Sequence, residues 1–260
     1  MTIYKQMAKT NRDKNRKRRK NVVNEAPNKW KRAWYSITMN WPFWTCCIVC
    51  VLLLVRFGKS GDSILSAFVT FIATMCIGYD VHRRTHERSV SNMYETSKNP
   101  IVSYIRDDLP ILKSAISWFI YHCDFHCLIH HDSSVNKTLY NRLIEVYQNL
   151  LSEGLIVAYL VYKLDPSVSI GGITLRPHIP TIIFWALIYT SVHNINYDLL
   201  HPKEHVNHHL YPSTNYGIDL LDILCETKHE TDSIEIMHHG LPNLVISAMA
   251  IIQFQQLFSQ

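Results

Sequence analysis

The chain has 260 residues, 47% of them hydrophobic and 18% charged, with a formal net charge of +5 at pH 7. That length holds one sizeable domain, and so apolar a chain with only eight glycines favours helices over a turn-rich sheet protein. Its seven cysteines form no CxxC…CxxC pair, which excludes a zinc ribbon and a disulfide framework.

The charge is concentrated rather than spread. Twelve lysines and arginines lie in the first 32 residues, including RKRRK at 16–20. Such runs also mark nuclear signals and nucleic-acid arms. Placed ahead of an apolar stretch, this one reads as a cytosolic tail that touches anionic lipid, so nucleic acid is not an expected partner. The reading divides the chain into a basic disordered tail, 1–33, and a membrane-embedded domain, 34–260. The first apolar run starts too late, behind too basic a lead, to be a simple cleaved signal peptide.

In chain order, Trp34, Tyr35, Trp41 and Trp44 form an aromatic belt at the start of a first span, 34–57. A short turn at 56–62 leads to a second apolar run, 64–79. Both runs lie near the lower limit of about 17 residues for crossing a bilayer, which predicts a tight hairpin. A polar stretch, 82–108, precedes a short apolar helix at 109–121, of interfacial or re-entrant length. A third span covers 147–164, a turn-rich loop 165–177, and a fourth span 178–192. A last apolar stretch runs over 241–258. The expected fold is therefore all-α, with about four transmembrane helices in two hairpins. With the N-terminus cytosolic, each hairpin goes out and returns, and every main histidine group lands on the cytosolic face.

Fifteen histidines are the compositional outlier. YDVHRRTHE at 79–87 carries His82 and His86, four apart and so on one helical face. YHCDFHCLIHH at 121–131 carries His122, His126, His130 and His131. VHNINYDLLHPKEHVNHHLYPSTNYG at 192–217 carries His193, His201, His205, His208 and His209, with i, i+3, i+4 spacing in HVNHH. A solvated or headgroup-facing stripe is the bland alternative for the middle group. Neutral imidazole suits iron, zinc and copper, whereas carboxylates suit magnesium and calcium. Structural zinc closes its shell with four ligands, so eight or nine histidines point to two metals. Iron is favoured because a redox-active pair can activate dioxygen, although two zinc ions satisfy the same count.

The ordered series HRRTH, HCLIHH, and HVNHH followed by NYG and LDIL resembles the fatty acid hydroxylase and sterol desaturase superfamily over residues 40–230. The residues that carry the last signature are His205, His208, His209, Asn215, Tyr216, Gly217, Asp222 and Thr227. The resemblance implies a two-iron site held by His82, His86, His126, His130, His131, His193, His205, His208 and His209, with Asp80 and Asn215 orienting imidazoles. It implies dioxygen-dependent hydroxylation or desaturation of a fatty acyl, sphingoid or sterol lipid in the endoplasmic reticulum membrane. With no haem- or flavin-binding segment in the sequence, a membrane b-type cytochrome and its reductase are the expected electron donors. The competing readings are a plasmanyl-lipid-type desaturase, a non-catalytic membrane metal-binding protein and a degenerate scaffold.

Two features depart from the family pattern. CET at 225–227 replaces an aromatic-glycine turn, and HxxxHH replaces HxxHH in the middle cluster. On an ideal helix the extra residue swings His126 by about 100°. Either an irregular turn returns it to the others, or His122 takes its place. His178 is expected at the interface, His229 in a surface loop, and His238 and His239 at a helix terminus or behind the ligands.

Overall fold

The structure is a computed structural model that describes residues 28–58, 63–87, 90–124, 126–131, 138–229 and 233–258. The RKRRK run lies outside the described residues.

The described residues are mostly helical, as the composition predicts. Helix α1 (Lys29–Met39) begins inside the stretch expected to be tail, capped by the Asn28 side chain, which accepts from the Trp30 amide. Helix α2 (Trp41–Arg56) follows at 70° to it, so the first expected span is an elbow. Pro42 near the start of α2 cannot donate a backbone hydrogen bond and clashes with a helical predecessor, which opens the bend. Asn40, buried at the corner, donates to the Glu235 carbonyl at 2.8 Å and accepts from the Met237 amide at 2.7 Å. The elbow is thus tied to a segment almost 200 residues later.

Helix α3 (Ile64–Glu87) continues past the end of the apolar run, carrying His82 and His86 on the same rod. Three short helices follow: α4 (Val90–Thr96), α5 (Pro100–Asp108) and α6 (Pro110–Cys123). Next come a π-helical turn at His126–His130, α7 (Leu139–Leu150), a second π-turn at Leu151–Leu155, and α8 (Ile156–Leu164). The expected loop then holds a two-stranded hairpin, β1 (Val168–Ile170) and β2 (Ile173–Leu175), paired antiparallel. Gly171 and Gly172, both at positive φ, supply the tight turn. Helix α9 (Ile179–Ser191) ends in a third π-turn, Val192–Asn196. It is followed by α10 (Tyr197–Leu200), α11 (Lys203–Leu210), α12 (Asp219–Leu224), a 3₁₀ turn at Met237–Gly240 and α13 (Leu241–Phe258).

Helix α9 is the hub, packed against α3, α7, α13 and the second π-turn. Phe43, Val51 and Leu54 of α2, Ala67 and Phe71 of α3, Phe184 and Trp185 of α9, and Leu244 of α13 share one core. Two glycines allow the close approach. A Cβ on Gly78 would overlap the Glu153 carboxylate, and one on Gly154 would press on the Ile182 carbonyl. Glu153 sits in that gap and accepts from Trp185 Nε1 at 3.3 Å.

Among the described residues one helix, beginning at Ile64, is long and apolar enough to cross a membrane. The bent α1–α2 pair adds a second if it is counted as one span. The expected third run is broken by a π-turn that leaves a helix of 9 residues, and the fourth is a helix of 13 residues that passes into a π-turn at Val192. The outer faces of the bundle remain apolar. Ile48, Leu52, Leu65, Ile72, Tyr159, Leu160, Ile246 and Phe254 are all exposed.

Candidate metal centre

The nine histidines singled out by the sequence come together. On α3, the i, i+4 pair His82 and His86 presents its Nε2 atoms 3.2 Å apart. His126 Nε2 lies 2.9 Å from that of His82 and 3.0 Å from that of His86, closing a triangle of three imidazole nitrogens. His131 Nε2 joins at 3.2 Å from His126 Nε2. The His208 ring packs against His82, His86 and His131, with centroids 4.7–5.0 Å away. Ligand atoms of these five lie within 4.8 Å of one another.

The other four gather beside them. His193 Nε2 stands 3.0 Å from His130 Nε2, and His209 Nε2 stands 3.1 Å from His205 Nε2. The His130 ring lies 4.5 Å from His209, and His193 lies 4.9 Å from His205. His126 and His131 also reach this second group, so the two sets abut.

Local structure explains how the middle cluster manages. The extra residue of HxxxHH is taken up by the π-turn, with the His131 amide donating to the His126 carbonyl at 3.1 Å across five residues. A π-turn brings residues four and five apart onto one side, so His126 rejoins His130 and His131. His122 does not substitute. It is displaced onto α6, where its Nδ1 meets the Trp118 carbonyl at 2.7 Å. The third π-turn performs the same service for His193 at the end of α9.

Burial sets the protonation. His82 is pushed down to about 4, mainly by loss of solvent. His86, His126, His130, His131 and His208 are lowered too, first by burial and then by one another. All six are neutral at pH 7, the form that binds metals. Two of the outward nitrogens are fixed by hydrogen bonds, those of His208 and His82. His208 Nδ1 donates to the Thr214 carbonyl at 2.6 Å, which leaves the buried Nε2 bare and without a hydrogen-bond partner among the described residues. His82 Nδ1 meets the Tyr189 hydroxyl at 3.0 Å, and His130 Nδ1 lies 2.5 Å from Glu145 Oε1. Three neutral imidazole nitrogens about 3 Å from one another cannot all be paired by one another's protons, and the bare buried Nε2 of His208 beside them fits a cation. The donor set is nitrogen-only in its inner layer, which suits iron, zinc or copper.

Two expected orienting residues behave differently. The Asp80 carboxylate is drawn outward by Arg83 and Arg84, at 2.9 and 2.5 Å, instead of meeting an imidazole. Asn215, held at φ +53°, donates to the Glu204 carbonyl and accepts from the His229 amide, shaping the loop behind α11. The rest of that signature is a clamp. Asp222 accepts from the Tyr216 and Gly217 amides and from Thr227 Oγ1, and Thr227 in turn meets the Tyr79 hydroxyl at 2.6 Å. One motif thereby fastens the His208 loop to the helix that carries His82.

The remaining histidines stand apart. His201, at φ +47°, and His238 are exposed. His239 lies in the 3₁₀ turn before α13, against Asn196 and Tyr197. His229 stacks on Tyr211, and His178 is buried at the start of α9 against Thr181. Glu145, Tyr189 and Thr214 were not singled out by the sequence. Glu145 lies on the polar face of α7 with Asn141, Arg142, Gln148 and Asn149, and the sequence did not mark it and Asn149 as the two that are buried.

Comparisons with protein-family models, curated proteins and solved structures find no match to this chain.

Proposed function

We propose that the protein is a membrane-bound, non-haem diiron oxygenase that hydroxylates or desaturates a lipid. The observation that carries this reading is the convergence of nine histidines, six of them held neutral by burial, into two adjoining sets. One ion has no use for nine donors, whereas two ions with room for a further ligand do. An iron pair bound there would supply dioxygen activation and removal of hydrogen from an unactivated carbon.

The chain's own residues would do the rest. Thr214 and Tyr189 hold His208 and His82 with Nε2 inward. The Asp222 clamp keeps α11 against α3, and α9 supplies both His193 and the packing around it. The apolar outer faces of α2, α3, α8 and α13 favour a lipid surrounding, since water-soluble proteins rarely leave so much contiguous apolar surface bare. In that setting the four apolar stretches would sit in the bilayer as two hairpins, with the N-terminus and histidines cytosolic. The endoplasmic reticulum is the proposed membrane, and a b-type cytochrome with its reductase the proposed electron source. The order HRRTH, HCLIHH, HVNHH and NYG, by its resemblance to the fatty acid hydroxylase and sterol desaturase superfamily, supports iron and a lipid substrate over zinc and a storage role.

Lipid profiling of cells expressing the wild type or His208→Ala tests this. A lipid pool that gains one oxygen, or loses two hydrogens, with the wild type alone is the expected result. Identical profiles in the presence of a fully loaded, correctly located protein would count against lipid oxidation.

A further inference from the structure

The two histidine groups are not equivalent in what they face. A cavity of about 310 Å³ is walled by His130, His193, His205 and His209, the four of the second group, and by none of the first five. Arg142 and Asp198, paired at 2.6 Å, stand on its wall with Val206 and Ile195, all four partly or well exposed. Another cleft that reaches the cluster touches His82 of the first group together with His193 and His205 of the second, but it measures only about 50 Å³, room for a few waters. The groups also differ in what supports them. The first is held by a hydroxyl and a backbone carbonyl, whereas a buried carboxylate stands beside the second: Glu145 Oε1 lies 2.5 Å from His130 Nδ1, outside hydrogen-bond geometry, and 4.0 Å from His193 Nε2.

Resting on the two-metal reading, we propose that the four-histidine position is the ligand-exchanging half of the site. Small exogenous ligands of the size of dioxygen or azide reach it through the Arg142–Asp198 cavity, and Glu145 is the positioning residue that holds its imidazoles. Five donors leave an ion little room, whereas four donors beside an open chamber leave a coordination position free. A carboxylate packed 2.5 Å from the far nitrogen of His130 restrains that ring and, by its charge, makes the Nε2 a better donor.

Cobalt(II), whose visible absorption reports its coordination, and azide serve as probes on the detergent-purified full chain. The wild type is expected to take two cobalt ions and to show one saturable azide-induced spectral change. His208→Ala keeps one cobalt and the azide response; His209→Ala keeps one cobalt and loses the response. Val206→Trp, or Ile195→Trp should the first misfold, keeps two cobalts and weakens azide binding by tenfold or more. Glu145→Gln lowers cobalt affinity at one position by roughly 10–100-fold, with partial rescue by Glu145→Asp, and leaves the other position unchanged. The proposal is overturned if azide responds in His209→Ala but not in His208→Ala, if neither tryptophan weakens azide, or if Glu145→Gln weakens both positions alike. A wild type that binds fewer than two cobalts overturns the two-metal reading itself. Two cobalts with the wrong azide pattern overturn this inference alone.

Discussion

His208 is the ligand whose orientation is best defined, because its Nδ1 meets a backbone carbonyl and its buried Nε2 has only the cluster to face. Replacing it with alanine is expected to remove at least one metal equivalent. His122→Ala, His201→Ala and His238→Ala are expected to remove none, since those rings lie away from the cluster. Metal content per chain, measured across the four variants, checks this. A loss with His122→Ala would mean that α6 supplies a ligand after all. Protonation gives a second test at this scale. His82 is held near 4 against an ordinary 6.5, and a base with a lowered folded value takes up protons on unfolding. Its unfavourable term is therefore absent above pH 6.5, grows as pH falls and is complete near pH 4, with the other buried histidines adding in the same direction. The melting temperature of metal-free protein should be steady above pH 7 and drop progressively below 6.5. A flat profile down to pH 5 would contradict neutral, buried imidazoles.

At the scale of elements, the π-turns decide whether the sequence spacing can work. Periodicity placed His82 with His86, and His205 with His208 and His209, each set on one helical face, because i, i+3 and i+4 neighbours share it. It left His126 and His122 in competition, since a π-turn has no spacing signature of its own and shows only in backbone geometry. The elbow at Asn40 was hidden for a related reason: its partners, Glu235 and Met237, lie almost 200 residues away. The hairpin of β1 and β2 was missed because three residues per strand are too few to display alternation. The middle cluster offers a direct check. Deleting Cys127 should convert the π-turn to an α-turn with HxxHH spacing and retain the metal. Inserting an alanine at the same point should lose it, and retention in both variants would show that the turn does not place His126. Gly78 provides another. Gly78→Ala pushes a methyl into the Glu153 carboxylate and should destabilise the bundle by about 1–3 kcal/mol, seen as a lower melting temperature.

For the molecule as a whole, the pattern that stood out in the sequence was segregation: apolar stretches between histidine-rich ones. The structure keeps that segregation but makes it three-dimensional, with an apolar bundle of α2, α3, α9 and α13 and the histidines gathered where α3, α9 and α11 end. The number of spans was less legible, because breaks at Asn40 and in the π-turns shorten helices that read as continuous runs of apolar residues. Alkaline carbonate extraction tests the membrane setting. The protein should stay with the pellet, and release to the supernatant would mean that the exposed apolar faces meet another protein or copy.

Two ions among nine histidines remain the centre of the account, and elemental analysis of detergent-purified protein measures this most directly. The account predicts two irons per chain after aerobic purification with iron supplied, falling by one or more in His208→Ala. One ion or none, or two zinc ions that iron does not displace, would contradict it.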